Sequence, residues 1–464
     1  MRFSCFVPRI AALLLVAAAT SLAAHLPAAT AAKVDEIAVK ALAGTGTPSV
    51  SIAIVQGGKI AYQKAYGKAR LDPAADATPE TRYGIGSVSK QLLAGTVLLL
   101  VQEGKLSLDD HVSKFLPNLT RANEITVRHL LTHTSGYQDY YPQDYVAPFM
   151  QKPVTAEAIL NQWARKPLDF DPGTRWQYSN TNFVVAGRIV EIVTGETFFS
   201  FLSKRFLQPL GMTSAIDLAD GSMPLADAAG YTHFATGPQR PVKAEARGWL
   251  YAAGELAMTA HDLALWDISL IEHRLLKAAA FEQFITPARL LNGTTTRYAL
   301  GVGVTEAEGH PKLAHGGAVS GFVSQNTVWP DQGTAVVVLS NTDGSAAPAS
   351  ITSQIAPLVL PQEDDAQAEP AVRQARQILD GLIEGRIDQA LLTPNADAFF
   401  TSQVLADAAS SLKSLGPVEA LRQISSELRG GMTYRHFEIR FKTKALHLST
   451  LTVPGGKLEQ YLIQ

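Results

Sequence analysis

Hydrophobic and polar residues alternate near the start of the chain and again much later, whereas the long region between has helical periodicity. Residues 49–56 and 59–66 alternate around Gly57-Gly58, which predicts a β-hairpin. Three late strands and a closing helix are predicted over residues 298–305, 318–329, 334–340 and 349–356. Together these elements predict one discontinuous α/β domain over residues 33–360. Its antiparallel sheet would be flanked by helices, with an all-helical insert beside it.

The pattern changes after an acidic, polar stretch at residues 361–369, which we interpret as a linker. A helix is predicted from one apolar face, comprising Val372, Ala375, Leu379 and Leu382. Residues 434–441 and 445–453 alternate as half-buried strands do, and a last strand should end at Ile463. This order predicts a small α+β accessory domain over residues 370–464, which weakly resembles cystatin-like or NTF2-like folds.

The N-terminus has the pattern of a signal peptide over residues 1–32. Arg2 and Arg9 precede an apolar run at residues 10–24, and small residues at 29–32 offer a cleavage pattern. We therefore expect an exported protein, periplasmic or secreted, without stable membrane insertion after cleavage; the alternative is an uncleaved anchor. The single cysteine, Cys5, lies in the removed part. The mature chain would then have no disulfide, cysteine nucleophile or thiolate metal site.

Charge and motifs exclude several classes of partner and cofactor. The 40 basic and 42 acidic side chains give a formal charge of −2, without a basic stripe, so no nucleic-acid partner is predicted. Phosphate loops, dinucleotide fingerprints and calcium loops are absent, and we predict no cofactor. His129 and His133 have metal-like spacing, but no carboxylate lies between them in the zincin pattern, so no metal is predicted. The oligomeric state stays open.

The first candidate catalytic motif is residues 86–90 (GSVSK), at the start of an apolar helix. Ser87 and Lys90 lie one helical turn apart and therefore share a face. The helix start favours developing negative charge at the serine. A serine hydroxyl needs an adjacent base, and a lysine whose surroundings favour the neutral amine can serve. The spacing alone is weak evidence, since residues 410–413 repeat it in a predicted solvated helix.

Two further motifs complete a candidate active site. Tyr178 precedes Asn180, so that a phenol could be held as phenolate or relay a proton, while the amide orients a substrate carbonyl or the lysine. His315-Gly316-Gly317 is predicted at the start of a strand. Its glycines allow a substrate backbone to approach closely, and the next amide, that of Ala318, can donate to an oxyanion.

In the order and context of these motifs, the chain resembles the serine β-lactamase and penicillin-binding superfamily over about residues 34–358. The nearest group is the class C-like branch, with D-aminopeptidases, D-alanyl-D-alanine carboxypeptidases and family VIII esterases. The segments at residues 126–136, 209–212 and 252–263 contribute to the likeness. The resemblance implies that Ser87 is acylated, that Lys90 is the base or its partner, and that Tyr178 shuttles the proton. It also implies an oxyanion hole formed by the N–H groups of Ser87 and Ala318.

The sequence departs from this family at His315, where many β-lactamases and carboxypeptidases carry lysine. A histidine near neutral pH is mostly uncharged and offers no fixed charge to a substrate carboxylate. We therefore expect an acyl-serine hydrolase of small esters, amides or D-amino-acid peptides, whose substrate is a small molecule or short peptide. The alternatives are a D,D-carboxypeptidase or weak β-lactamase, and a non-catalytic binding or sensor protein of the same fold. Specificity is expected to depend on loops 137–150 and 219–249.

Overall fold

The computed structural model describes residues 25–218, 223–225, 227–307, 310–360 and 368–464. The chain divides into two compact units, with the boundary after Leu360. Most of the predicted signal peptide and of the predicted linker lies outside the described residues. The candidate cleavage positions 29–32 fall in the first helix, Ala28–Thr45. The last two linker positions belong to the helix Ala368–Ile383.

The strands of the first unit come from its beginning, its middle and its end. They are β1 Ser49–Gln56, β2 Lys59–Leu71, β3 Ala74–Asp76, β4 Tyr83–Gly84, β5 Ile216–Asp217, β6 Tyr231–Thr232, β7 Arg240–Pro241, β8 Leu256–Met258, β9 Gly303–Ala307, β10 His310–Val319, β11 Phe322–Trp329 and β12 Thr334–Ser340. Within the described chain, seven of them form an antiparallel sheet in the order β3-β2-β1-β12-β11-β10-β9. Because early β1 pairs with late β12, the predicted discontinuous sheet is confirmed.

The helices of this unit cover both faces of the sheet. They are α1 Ala28–Thr45, α2 Ser89–Gln102, α3 Val127–Leu131, α4 Ala156–Ile159, α5 Asn180–Thr194, α6 Phe198–Leu202, α7 Gln208–Leu210, α8 Ala260–Ile271, α9 Ala278–Ile285 and α10 Ala347–Val359. In β1, Val50, Ile52 and Ile54 share a core with α1 and α10. Ala53 and Val55 of the same strand join the larger core of the insert. Since strand side chains alternate between faces, β1 is buried on both sides.

The insert lies between β3 and β9 and was predicted to be all-helical; it is mainly helical but also contains short strands. Strand β8 pairs with β4 and β5, and β6 pairs with β7. These pairs are only two or three residues long, too short to leave an alternating pattern in the sequence. Helix α2 is buried almost throughout and belongs to the larger core. Within the described residues, no helix has both the length and the apolar character needed to cross a membrane.

Two late strands differ from their predicted bounds. Residues 318–329 were predicted as one strand, but the chain turns at Ser320-Gly321, so that β10 and β11 form a hairpin. Gly321 has a φ of 82°, which suits a glycine. His315 consequently lies inside β10 rather than at the start of a strand. Strand β9 begins only at Gly303, because a left-handed residue, Gly301 at φ 72°, interrupts the preceding segment.

The second unit contains helices α11 Ala368–Ile383, α12 Pro394–Phe399 and α13 Ser402–Lys413, followed by strands β13 Val418–Arg429, β14 Met432–Phe441, β15 Ala445–Thr452 and β16 Leu458–Ile463. The strands form an antiparallel meander in chain order. Leu379, Phe437 and Leu448 belong to its separate core. The α+β prediction is confirmed. Strand β13 was missed because most of its residues are exposed, and its sequence lacks a buried face.

Candidate active site

The serine and the lysine of the first motif are held together by a short 3-10 turn, Gly86–Val88, that runs into α2. Lys90 Nζ lies 2.9 Å from Ser87 Oγ. Gly86 has a φ of 52°, and a Cβ there would lie 2.7 Å from the Ala318 nitrogen. A glycine is therefore required at this turn, both for its conformation and for the close approach of β10.

Lys90 is fully buried and has three oxygen neighbours. Its Nζ donates to Ser87 Oγ, to Asn180 Oδ1 at 2.8 Å and to the Ala253 carbonyl at 2.7 Å. Burial lowers the pKa of Lys90 to about 7, and the charge of Asp139 acts in the opposite direction. A lysine with this pKa is a mixture of amine and ammonium near neutral pH. The side chain can therefore both accept and return a proton.

Tyr178 lies two residues before α5, beside the serine and the lysine. Lys90 Nζ is 5.1 Å from the centre of its ring. Burial raises the pKa of Tyr178, and a hydrogen bond with Ser87 only partly offsets that effect. The stable form is thus the neutral phenol. Of the two roles considered for this side chain, a proton relay fits the surroundings better than a standing phenolate.

Strand β10 packs against the turn that carries Ser87. Strand β9 pairs only with residues 310–314 of β10, which leaves the edge at residues 315–319 without a strand partner from that side. A Cβ on Gly317 would lie 1.9 Å from the Ile85 carbonyl oxygen, and Ser324 Oγ donates to the same oxygen at 2.8 Å. Gly317 is therefore needed for packing within the protein. The Ala318 backbone nitrogen lies next to Gly86, the residue before Ser87; the predicted oxyanion hole pairs it with the Ser87 N–H.

His315 is buried, and both of its ring nitrogens have partners. Nδ1 lies 2.6 Å from the Gly316 carbonyl, which can only accept, so Nδ1 carries the proton. Nε2 then accepts from the Tyr298 hydroxyl at 2.8 Å. Burial, followed by the nearby charge of Lys90, lowers the pKa of His315 to about 4. The imidazole is therefore neutral at physiological pH, as expected from its sequence.

Three neighbouring side chains were not singled out as site residues by the sequence. Asp139 accepts from the Asn180 backbone N–H at 2.9 Å and from its side-chain amide at 3.2 Å. His133 accepts the Ser179 N–H at Nδ1 and stacks 4.2 Å from the Tyr178 ring. Tyr298, the third, contacts His315 as described. Each acts through a contact between distant chain segments, which no local motif reveals.

The other histidine of the predicted pair has a structural role. His129 Nδ1 accepts the Thr126 N–H in a capping box at the start of α3. In the part of the chain that the structure describes, no group of three or more histidine, cysteine or acidic side chains could hold a metal ion.

The predicted site residues meet in one cleft of about 1240 Å³. Ser87, Tyr178, Asn180 and residues 315–318 line it, while Lys90 lies behind Ser87. Both loops that are expected to affect specificity line this cleft. Loop 137–150 does so through residues 139–146, and loop 219–249 through residues 232–234 and 242–243. Tyr145 and Phe234 are largely exposed on its walls. The structure thus brings all the sequence-predicted site residues together.

Comparison with known proteins gives the same picture. The profile of the Beta-lactamase family matches residues 34–359. PbpX of Bacillus subtilis (strain 168) is 27% identical over 302 residues, 65% of this chain and 73% of that protein. The D-aminopeptidase of Brucella anthropi is 28% identical over 306 residues, 65% of this chain but only 57% of that protein. A D-stereospecific amidohydrolase from Streptomyces sp. superposes with a TM-score of 0.61 at 26% identity, covering 69% of this chain and 97% of its own.

Proposed function

Because the chain belongs to the beta-lactamase family and is a serine hydrolase, we propose that it hydrolyses small amides, esters or short D-amino-acid peptides through an acyl-enzyme on Ser87. The observation that carries this proposal is the contact of Ser87 Oγ with Lys90 Nζ, at a lysine whose pKa is about 7. A base poised near neutral pH, within hydrogen-bond reach of the hydroxyl, is what nucleophilic serine catalysis requires.

In the proposed acylation, Ser87 Oγ attacks the substrate carbonyl carbon, and the hydroxyl proton passes to neutral Lys90. The N–H groups of Ser87 and Ala318 stabilise the negative oxygen of the tetrahedral intermediate. Tyr178 donates its phenol proton to the leaving amine or alcohol and regains one from Lys90. The net result is a Ser87 ester and a protonated leaving group, with Lys90 and Tyr178 restored.

Deacylation follows the same path in reverse. A water molecule attacks the ester carbon, and its proton moves through Tyr178 and Lys90 to the departing Ser87 oxygen. Atoms and charges balance: one water is consumed, and one carboxylic acid is released. No metal or organic cofactor takes part in any of these steps.

The substrate class is inferred from the third motif. Neutral His315 offers no fixed positive charge to a substrate carboxylate, in contrast to a lysine at this position. This disfavours efficient β-lactam hydrolysis and D,D-carboxypeptidase activity. The names of the D-aminopeptidase and the D-stereospecific amidohydrolase support substrates built on D-amino acids.

The test is hydrolysis of D-amino-acid p-nitroanilides and amides, p-nitrophenyl butyrate, nitrocefin and a D-alanyl-D-alanine peptide by the wild type and by Ser87→Ala. We expect turnover of an amide, anilide or ester that falls at least ~10⁴-fold in the variant, with an unchanged far-ultraviolet circular dichroism spectrum. Activity that survives in Ser87→Ala would overturn the mechanism. Nitrocefin turnover at the level of a dedicated β-lactamase would overturn the substrate class.

We also propose that the enzyme is exported and that its N-terminal segment is removed. The charged, apolar and small-residue regions of residues 1–32 support this. The measurement is the intact mass of the protein recovered from periplasmic and secreted fractions. A full-length mass in the cytoplasmic fraction alone would contradict the proposal.

A further inference from the structure

Asp139 lies on the cleft loop between α3 and α4 and is joined to Lys90 through a single side chain, that of Asn180. Asp139 Oδ1 accepts the Asn180 backbone N–H at 2.9 Å and the Tyr141 N–H at 3.1 Å. Its Oδ2 accepts from the Asn180 side-chain amide at 3.2 Å. These bonds turn the NH₂ group of Asn180 toward Asp139. The amide oxygen is therefore left facing Lys90 Nζ, at 2.8 Å.

One of the groups around Lys90 is an anion, and the others are neutral. Its three hydrogen-bond acceptors, the Ser87 hydroxyl and the Asn180 and Ala253 carbonyls, are all neutral. The surrounding rings are neutral as well: burial lowers the pKa values of His133 and His315 and raises that of Tyr178. Among the described residues, the anion that acts on Lys90 is Asp139. Burial raises the pKa of the Asp139 carboxyl, whereas its three N–H donors and the charge of Lys90 favour the carboxylate form.

We propose that Asp139 is a positioning residue of the Ser87 reaction, which orients the Asn180 amide toward Lys90 and supplies the negative charge that makes Lys90 a strong enough base. This inference rests on the proposed function, because it concerns the base of that reaction. Without the charge, desolvation would weaken Lys90 as a base. Without the orientation, the NH₂ group of Asn180 could point at Nζ and repel its ammonium form.

The direction of the pH effect follows from the protonation state that catalysis needs. Lys90 must be neutral to take the serine proton, so acylation rises with pH through the pKa of Lys90, about 7. Removal of the Asp139 charge lowers that pKa further. The rising limb of the curve of acylation rate against pH therefore moves to lower pH. The plateau rate also falls, because a less basic amine removes the proton less effectively.

The experiment is the rate of covalent labelling of Ser87 by a fluorophosphonate probe, measured from pH 5 to 9. This readout does not depend on knowing the natural substrate. In Asp139→Asn we expect the rising limb to move down by about one pH unit and the plateau to fall about three- to tenfold. Asp139→Glu, which keeps the charge, should retain the limb of the wild type.

Asp331→Asn is the control, since Asp331 is an exposed carboxylate of the same unit that does not line the cleft. It should leave the limb where the wild type has it. If Asp139→Asn does not fold, Asp139→Ser, also uncharged, carries the same expectation. If the rising limb of the folded, uncharged variant coincides with that of the wild type, the role of Asp139 is overturned. The proposed function is not affected by that result. Absence of labelling in the wild type would instead contradict the proposed function.

Discussion

At the scale of single residues, His315 shows how burial sets the charge of the site. The imidazole has a neighbour at each nitrogen, the Gly316 carbonyl and the Tyr298 hydroxyl. The pKa of a histidine is near 6.5 in an unfolded chain, whereas here burial lowers it to about 4. Between these two pH values the unfolded state binds a proton that the folded state does not. The contribution of His315 to stability is therefore present above pH 6.5 and is lost as the pH falls toward 4.

This linkage predicts the effect of His315→Gln, which removes the titrating group. The free energy of unfolding of the wild type should fall more steeply between pH 7 and 4.5 than that of the variant. Over this pH range the wild type should lose about 2–3 kcal/mol more unfolding free energy than the variant, because each unit of pKa shift corresponds to about 1.4 kcal/mol. Urea unfolding at the two pH values measures it. His111→Gln, at an exposed histidine, is the control, and a parallel loss in wild type and His315→Gln would contradict the prediction.

The residues that sequence reasoning found and those it missed differ in how they contact the site. Ser87 and Lys90 are neighbours along one helix, so their spacing alone predicts their contact. The bond from Asp139 to Asn180 spans 41 positions of the chain. The hydroxyl of Tyr298 reaches His315 across an interrupted strand. Such contacts depend on packing of the whole insert, and no local period or motif encodes them.

At the scale of elements, the site depends on the fit between β10 and the turn at Gly86–Val88. The two adjacent glycines of β10 have different surroundings. A Cβ on Gly317 would lie 1.9 Å from the Ile85 oxygen and 2.4 Å from Ser324 Oγ, whereas on Gly316 its nearest neighbour would be Gln325 Oε1 at 3.6 Å. The sequence suggested that both glycines make room for a substrate. The structure shows that Gly317 makes room for the protein's own backbone.

Gly316 and Gly317 therefore offer a matched test of the packing between β10 and the Ser87 turn. Gly317→Ala should force β10 and the Ser87 turn apart, at a cost of roughly 2–4 kcal/mol in the free energy of unfolding. Gly316→Ala should change that free energy by less than about 1 kcal/mol. Ser87 labelling by the fluorophosphonate should also fall at least about 100-fold in Gly317→Ala, because the amide of Ala318 moves with the strand. Equal unfolding free energies for the two variants would contradict this account.

The strands themselves were predicted best where burial is uniform. Strand β1, buried on both faces, and β12, buried throughout, have the predicted bounds. Residues 318–329, which contain the end of β10, the turn and β11, were predicted as a single strand, because the apolar pattern runs through the turn at Gly321 without a break. A pattern records which residues are buried. It does not record where a chain reverses direction when the turn is itself packed, as Gly321 is against Gly230.

At the scale of the whole molecule, each hydrophobic core of the described residues belongs to one of the two units. The two cores of the first unit contain residues up to 360, and the core of the second begins at Ala371. Every predicted site residue belongs to the first unit. Among the described residues, the cores around the active site are formed by residues of the first unit.

This separation predicts that a chain ending after Leu360 folds and keeps the reactivity of Ser87. Fluorophosphonate labelling should proceed within about threefold of the full-length rate, since neither core of the first unit loses a residue. A chain ending after Ser345 is the control. It lacks α10, and with it Ile351, Ile355 and Val359 of the core beneath α1, so it should be unfolded or label at least about 100-fold more slowly. A chain ending at Leu360 that is as inactive as this control would show that the second unit is required for the first to fold or to react.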